Sequence, residues 1–371
     1  MRKYFANFDL WLYVIPILLS LVGIAVIYSL VYTKDADNLV VKQAISLLLG
    51  IAVMVFLTIY DYRHIRNIIW PLYITSVILL LVVDLFGHTA GGATRWLSLG
   101  PIQIQPSEIL KVTSILFWAS YFSNKIGEIH WKDIIFLIVF FSIPLYLVLK
   151  QPDLGTALVI IFMMILTLFW LKFSKRQYFI LVTFLMSALV VFSLAVKNVS
   201  FFGKMLKSYQ RDRIEVFLNP EKDVLGRGYN VKQAIIAVGS GGLAGRGLGQ
   251  GSQSQLQFLP KAQTDFIFSG FAEAFGFVGS LLLIAIYFYL LVRIIKIGII
   301  AKDNFGLLIA VGALGMFFFQ VFENIGMNIG LMPVTGIPLP FLSSGGSSLV
   351  VSFATLGIIQ SVAIRHKKII F

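Results

Sequence analysis

Residues 10–32 read LWLYVIPILLSLVGIAVIYSLVY, a run of apolar positions without one Asp, Glu, Lys or Arg. At ~1.5 Å rise per residue a helix of this length spans the ~30 Å hydrocarbon core of a bilayer. Nine further apolar runs follow, near 44–61, 67–87, 106–123, 134–150, 154–172, 177–197, 266–292, 304–329 and 345–364. None alternates with period two, so a membrane β-barrel is excluded. A helix is left as the structure that bonds every N–H and C=O internally in lipid.

Composition agrees with that reading. Hydrophobic residues make up 58% of the 371 positions and charged residues 13%, about half the ~25% of an ordinary soluble domain. Mean hydropathy is +0.89. A soluble globular enzyme, a disordered chain and a coiled coil are all ruled out. The expected fold is all-α: one polytopic membrane domain over residues 1–371 with about ten transmembrane helices. With no cysteine and four histidines, disulfides, thiol chemistry and His-rich metal sites are not expected. The first run is span-length and is followed by no small-residue cleavage site, so it reads as a helix and not as a removed signal peptide.

The +13 net charge is informative once mapped onto the loops. With the N-terminus in the cytoplasm, the short loops and tails place fifteen Lys and Arg inside and five outside. That is the asymmetry of the positive-inside rule, and an even span count puts the C-terminus inside too. The other ten lie in or beside one long extracytoplasmic loop, about residues 198–264, between the seventh and eighth spans. It includes the glycine-rich run VGSGGLAGRGLGQG and the stretch Tyr229–Val238, which reads as a short amphipathic helix in the interface. The loop forms a basic platform at headgroup level, suited either to plain solvation and anionic lipid or to capture of a phosphorylated substrate. The glycine run has no preceding strand, so a dinucleotide or P-loop cradle is rejected. No nucleic-acid role is assigned to the basic excess.

Charges near membrane depth are costly and usually functional. Glu108 and Lys111 follow Pro106 in QPSEILK and stand three apart on one helix face. They either stitch the bundle as an ion pair or line an outward-facing cavity with Arg95 above. Asp153, in KQPDLG, either caps the next helix or faces the same mouth. Asp265, in LPKAQTDFIF, sits where the basic loop dives into an apolar helix. Partial desolvation there raises a carboxyl pKa toward the range of a useful general base; the bland alternative is that Thr264 or Asp265 caps the helix. Glu273 reads as a polar residue of the bundle interior. Gln320, Glu323, Asn324 and Asn328 form a polar stripe of the kind that bonds helices together. After them, Pro333, Pro338 and Pro340 in GLMPVTGIPLPFLSSGGSS forbid a regular helix and mark a re-entrant or cavity-lining stretch.

Several of these blocks stand together in one known family. NIGLMPVTGIPLPFLSSGGSS closely resembles the signature of the SEDS proteins (shape, elongation, division and sporulation), and QPSEILK, QPDLGTA, YQRDRIEVFLNPEKDVLGRGYN, IAVGSGGLAGRG and LPKAQTDFIF resemble further family blocks in the family's order. The resemblance covers essentially the whole chain. GQGSQSQLQFLPKAQTDFIF and the short tails are most similar to the rod-shape branch. Three positions depart from the family pattern: Ser344 where Tyr is usual, and Lys261 and Ala274 where Glu is common.

The resemblance implies a peptidoglycan glycosyltransferase of the bacterial cytoplasmic membrane that polymerises lipid II on the extracytoplasmic side during elongation. It implies a class B penicillin-binding protein as transpeptidase partner, within a set of elongation membrane proteins. It carries the essential aspartate onto Asp265 and the paired cavity charges onto Glu108 and Lys111, with Asp153 at a further acidic position. The implied step is an inverting displacement of undecaprenyl pyrophosphate, with Asp265 as general base and Lys111, oriented by Glu108, stabilising charge. Arg95, Asp153, Arg211, Arg213, Ser343 and Ser347 are the candidate substrate contacts. A divalent cation, Mg or Mn, is an optional sharer of the phosphate charge, with Asp265 or Asp153 as ligand. Two other readings compete: a flippase for lipid II, which would need polar groups along the whole crossing, and a non-catalytic membrane scaffold of the wall-synthesis complex.

Overall fold

The computed structural model describes every residue except 1–6, 32–34, 91–92, 100–101, 128, 172, 181, 184–185, 188–207, 224–225, 257 and 367–371. Most of the predicted seventh span, 177–197, lies outside the described residues. The first six helices are α1 Trp11–Leu30, α2 Asp35–Ile59, α3 Tyr62–Phe86, α4 Pro106–Phe122, α5 Trp131–Lys150 and α6 Leu154–Trp170. Two shorter helices, α7 Ser208–Leu218 and α8 Arg227–Ser240, precede the last three: α9 Ile267–Ile300, α10 Asn304–Asn328 and α11 Gly346–Ile364. Seven of these are long and apolar enough to cross a membrane (α1, α2, α3, α5, α9, α10 and α11), and α6 is a shorter apolar helix.

The layout follows from where the polar groups are. α10 and α11 are buried along most of their length, whereas α2, α3 and α9 present Leu48, Phe56, Leu85, Leu281 and Phe288 outward. Exposed apolar side chains of that kind are what a lipid-facing wall requires. α2 packs along α11, α4 lies between α3 and α10, and α6 lies against α10. One end of the bundle is closed by ion pairs between Arg293 and Asp9 (2.5 Å), Arg365 and Asp61 (3.4 Å) and Lys125 and Asp133. The other end carries the Lys150–Asp84 pair (2.5 Å) and all the candidate site residues.

Two features at that second end were unread or only partly read in the sequence. Residues 88–104, taken there as plain loop, form a small antiparallel sheet of β1 His88–Ala90, β2 Ala93–Leu99 and β3 Ile102–Ile104, with Leu97 opposite Ile104 and Ser98 opposite Gln103. The long segment after residue 207 is largely helical where it is described. α8 contains the predicted Tyr229–Val238 helix and packs against α9 through Ala234 and Ala237, both fully buried.

α9 is broken. Gly276 has φ +68° and ψ −165°, a region essentially closed to residues with a Cβ. A helix break in an apolar bundle frees backbone groups that must find other partners. The glycine-rich run supplies them: the Arg246 and Gly247 amides donate to the Glu273 and Ala274 carbonyls (3.0 and 2.9 Å), and the Phe277 and Val278 amides donate to the Gly242 and Leu243 carbonyls (2.8 and 3.1 Å). The glycines let the loop backbone come this close. A β-carbon at Gly276 would overlap the Gly245 amide and the Leu243 carbonyl. Gly276→Val is therefore expected to lower stability by at least the ~1–3 kcal/mol of a strained backbone position, read as a reduced thermal unfolding midpoint in detergent. An unchanged midpoint would mean that the break is not tied to the glycine loop.

Candidate active site

Asp265 lies in the turn that joins the loop to α9, half-buried, with Phe266 as the residue preceding the helix. Neither Thr264 nor Asp265 caps α9: Phe266 stands at the cap position and makes no side-chain bond there. The capping alternative is thereby corrected. Instead α10 supplies the partners. Asn328 Oδ1 accepts from the Ser269 N–H (3.1 Å) and hydroxyl (2.6 Å), filling the role of a cap from another helix. Asn328 Nδ2 and Asn324 Nδ2 both donate to the carbonyl oxygen of Asp265, at 3.1 and 3.0 Å. Asn324 also donates to the Ile337 carbonyl at 2.8 Å.

Residues 329–345 have no helix, as three prolines in close succession require. This segment folds back into the bundle, with Ile337, Leu339, Phe341 and Leu342 buried. Tyr287 of α9 donates to the Pro340 carbonyl (2.6 Å) and Thr335 donates to Glu323 of α10. Gly336, at φ +78°, lies against the Asp265 carboxylate: a β-carbon there would stand 3.3 Å from Oδ2. Asp265 is thus held at its own backbone and faced by a residue without a side chain.

The electrostatics around that carboxylate are mostly positive. Burial pushes the Asp265 carboxyl above its ordinary range, while the Lys261 ammonium, the Thr264 hydroxyl and the Arg213 and Arg95 guanidiniums pull it down; burial prevails. Arg213 comes from α7, and its Nη1 donates to the Thr335 carbonyl at 2.6 Å. It also lies within electrostatic reach of Glu323. Beside it, between α7, α8 and residues 332–334, is a small apolar recess with Arg213 in its wall.

Arg95 of β2 joins this cluster to Asp153. Its Nη1 is 3.7 Å from Asp153 Oδ1, its Nε donates to the Gln151 carbonyl (2.9 Å), and it also bonds the Pro152 carbonyl. Asp153 does cap α6, accepting from the Thr156 amide (3.2 Å) and hydroxyl (2.9 Å). Gln105 and Ser107 add bonds at 3.2 and 3.4 Å. The structure shows the cap; the side chain is buried and its tie to the cluster runs through Arg95.

Of the remaining candidates only Ser343 bonds the Asp265 turn. Lys111 Nζ is 2.9 and 2.8 Å from the two Glu108 oxygens, and the side chains are only 2% and 3% exposed. The pair is buried in the first turns of α4. Arg211 is exposed and meets Glu215 at 3.6 Å, a surface pair of little energetic weight. Ser343 bonds the Leu339 amide and the Thr264 carbonyl, both at 2.8 Å. Ser347 accepts from the Gln105 amide (3.2 Å) and donates to the Gln103 carbonyl (2.9 Å). Both hydroxyls bind the 329–345 segment and the start of α11 to their surroundings. Among the described residues no group of three His, Asp or Glu side chains gathers around a metal-sized point, so the donor set does not by itself make a cation site.

Comparison with known proteins bears on the whole of this arrangement. Residues 9–368 match the family model of the FtsW, RodA and SpoVE cell cycle proteins. The chain belongs to this family. The peptidoglycan glycosyltransferase MrdB of Escherichia coli K12 is 37% identical over 356 residues, covering 95% of this chain and 94% of that protein. The peptidoglycan glycosyltransferase RodA of Treponema pallidum is 32% identical, over 97% and 98%. Among solved structures, the rod shape determining protein RodA of Thermus thermophilus superposes with a TM-score of 0.71 at 28% identity, covering 96% of each chain. A chain of a peptidoglycan synthase complex, described as coordinating polymerization and crosslinking, gives 0.78 at 29% identity over 97% of this chain and 98% of that one. The family is the one the sequence blocks resemble, and its RodA members are among the nearest in both kinds of comparison.

Proposed function

We propose that this FtsW/RodA/SpoVE-family protein polymerises lipid II into glycan strands at the outer face of the bacterial cytoplasmic membrane, with Asp265 as general base. The broader activity, peptidoglycan glycosyltransferase, is that of relatives 32–37% identical over nearly the whole chain. The observation that carries the finer reading is a carboxylate held by its own backbone among three cations, Lys261, Arg213 and Arg95, with Glu323 also within electrostatic reach.

The step is a single displacement. The 4-hydroxyl oxygen of one lipid-linked disaccharide forms a bond to the anomeric carbon of another, and the bond from that carbon to the pyrophosphate oxygen breaks. The hydroxyl proton passes to the Asp265 carboxylate. Pyrophosphate leaves as an anion, so no second carboxyl has to protonate it, unlike the pair needed for glycoside hydrolysis. Arg213 and Arg95, both within electrostatic reach of Asp265, would supply positive charge where negative charge develops. Lys111 would join them only if the first turn of α4 parts from its neighbours. Arg211 and the two serines have the lesser role of holding substrate or segment in place.

The topology supports an outward site. α6 runs away from the Asp153 end and stops at Trp170, while α7 begins back at the Asp265 end, where Arg213 meets Thr335. The proposed span 177–197 would return the chain to that end, for a total of ten. The charge count then puts both termini in the cytoplasm and the Asp265 end outside. A class B penicillin-binding protein and other elongation proteins are the proposed partners, in keeping with the neighbour drawn from a synthase complex.

Purified protein supplied with lipid II and its transpeptidase partner is expected to make glycan polymer. If it moved labelled lipid II across vesicle bilayers without polymerising it, the flippase reading would replace this one. The raised Asp265 carboxyl adds a pH test. A base works deprotonated, so the rate should fall as pH drops through its pKa. The acid limb of kcat/KM should therefore lie above the ~3.9 of an ordinary aspartate. A limb at or below that value would remove Asp265 from the base role.

A further inference from the structure

We propose that Asn324 and Asn328 are positioning residues that set the place of the Asp265 carboxylate by gripping its peptide. The inference rests on the reading of Asp265 as the base. The Asp265 carbonyl falls just before α9, where a helical N–H four residues on would ordinarily take it. That N–H, of Ser269, instead goes to the Phe266 carbonyl (3.1 Å) and to Asn328 Oδ1 (3.1 Å). The Asp265 oxygen receives two side-chain amide donors in exchange. A buried carbonyl needs at least one donor; two donors from one neighbouring helix also fix its direction.

The two asparagines are fully buried, and each uses its amide twice. Asn328 donates to the Asp265 and Asn324 carbonyls (3.1 and 2.7 Å) while its oxygen holds Ser269. Asn324 donates to Asp265 on one side and to Ile337 on the other. Ile337 follows Gly336, the residue lying against the carboxylate. One amide nitrogen therefore bridges the two walls between which the carboxylate sits. If that bridge is cut, the turn and the proline segment are free to shift, and the distance from Asp265 to Lys261, Arg213, Arg95 and Glu323 changes with them. Simple interhelical glue would bond the two helices anywhere along their contact. Here the bonds converge on the peptide of the reacting residue.

The test uses the purified full-length chain with lipid II and compares Asn324→Leu, Asn324→Asp and Asn328→Asp. Asn328→Asp keeps size and the oxygen that accepts from Ser269 but loses the donor to Asp265. Asn324→Asp keeps size and loses its donations to Asp265 and Ile337, while Asn324→Leu removes the same donors without adding a charge. We expect kcat to fall on the order of 10–100-fold, as for a misplaced catalytic group. KM for lipid II should stay within about twofold, and the acid limb of the pH profile should move. In the neutral Asn324→Leu variant a change in stability alone would leave that limb in place, so the limb is read there and the aspartates, which add a charge of their own, are read by kcat. Monodisperse variants with the original kcat and acid limb would overturn the inference and leave Asp265 as base. Full polymerisation by Asp265→Asn would instead remove the base, and this inference with it.

Discussion

Asp265→Asn should insert, purify and bind like the original protein and yet polymerise lipid II at least ~100-fold more slowly, within the ~10²–10⁴ range of a lost general base. The exchange is isosteric, and the grip of Asn324 and Asn328 falls on the peptide oxygen, which the substitution leaves untouched. The turn should therefore keep its shape. What disappears is the carboxylate proposed to accept the hydroxyl proton, while the cations Lys261, Arg213 and Arg95 around it remain. The measurement is polymer formed per unit time with the transpeptidase partner present, alongside lipid II binding. Loss of rate with binding retained is the expected pair of results; near-normal rate would end the proposed mechanism.

Lys111→Met should cost both stability and activity. Glu108 and Lys111 are paired at 2.8–2.9 Å with almost no exposure. Breaking such a pair leaves a charge in a low-dielectric interior, a loss of about 3–5 kcal/mol. A lower unfolding midpoint and little active protein are expected. That alone does not separate a structural pair from a catalytic lysine, but the double exchange Glu108→Lys with Lys111→Glu does. It restores the attraction and gives up only ~0.3–1 kcal/mol of favourable placement at the helix start. If the folded double variant polymerises normally, the pair is structural. If it folds and stays inactive, the positive charge at position 111 acts on substrate, and α4 must open to let it do so.

The helices were legible because lipid makes the demand so blunt. Nine of the ten drawn segments coincide with described helices to within a few residues at most ends, and the largest errors are loop-side extensions such as α2 starting at Asp35 and α9 running to Ile300. The strands at 88–104 were not legible: β1 and β3 have three residues each, too few for alternation to stand out. α7 was missed because it is polar on most sides and has no apolar stripe strong enough to read.

At the site, composition indicated Asp265 and the polar stripe separately. The stripe was readable as a bonding face but its target was not, because nothing in residues 320–328 says that they meet residue 265. The serines at 343 and 347, named as candidate substrate contacts, were legible as hydroxyls at the outer mouth. Their bonds to Leu339, Thr264, Gln105 and Gln103 were not, because those partners lie on other parts of the chain or depend on the turn geometry. Glu108 and Lys111 had the right spacing, and their burial depended on α3 and α10, which only the packing could reveal.

The interruption at Gly276 has a mechanical meaning. Residues 267–275 form a short strut pinned at one tip by Asn328 and at the other by amides of the outer glycine loop. The turn with Asp265 hangs from the first tip. A protein grasping that loop would thus hold the far end of a rod whose near end bears Asp265, and need not touch that carboxylate to move it.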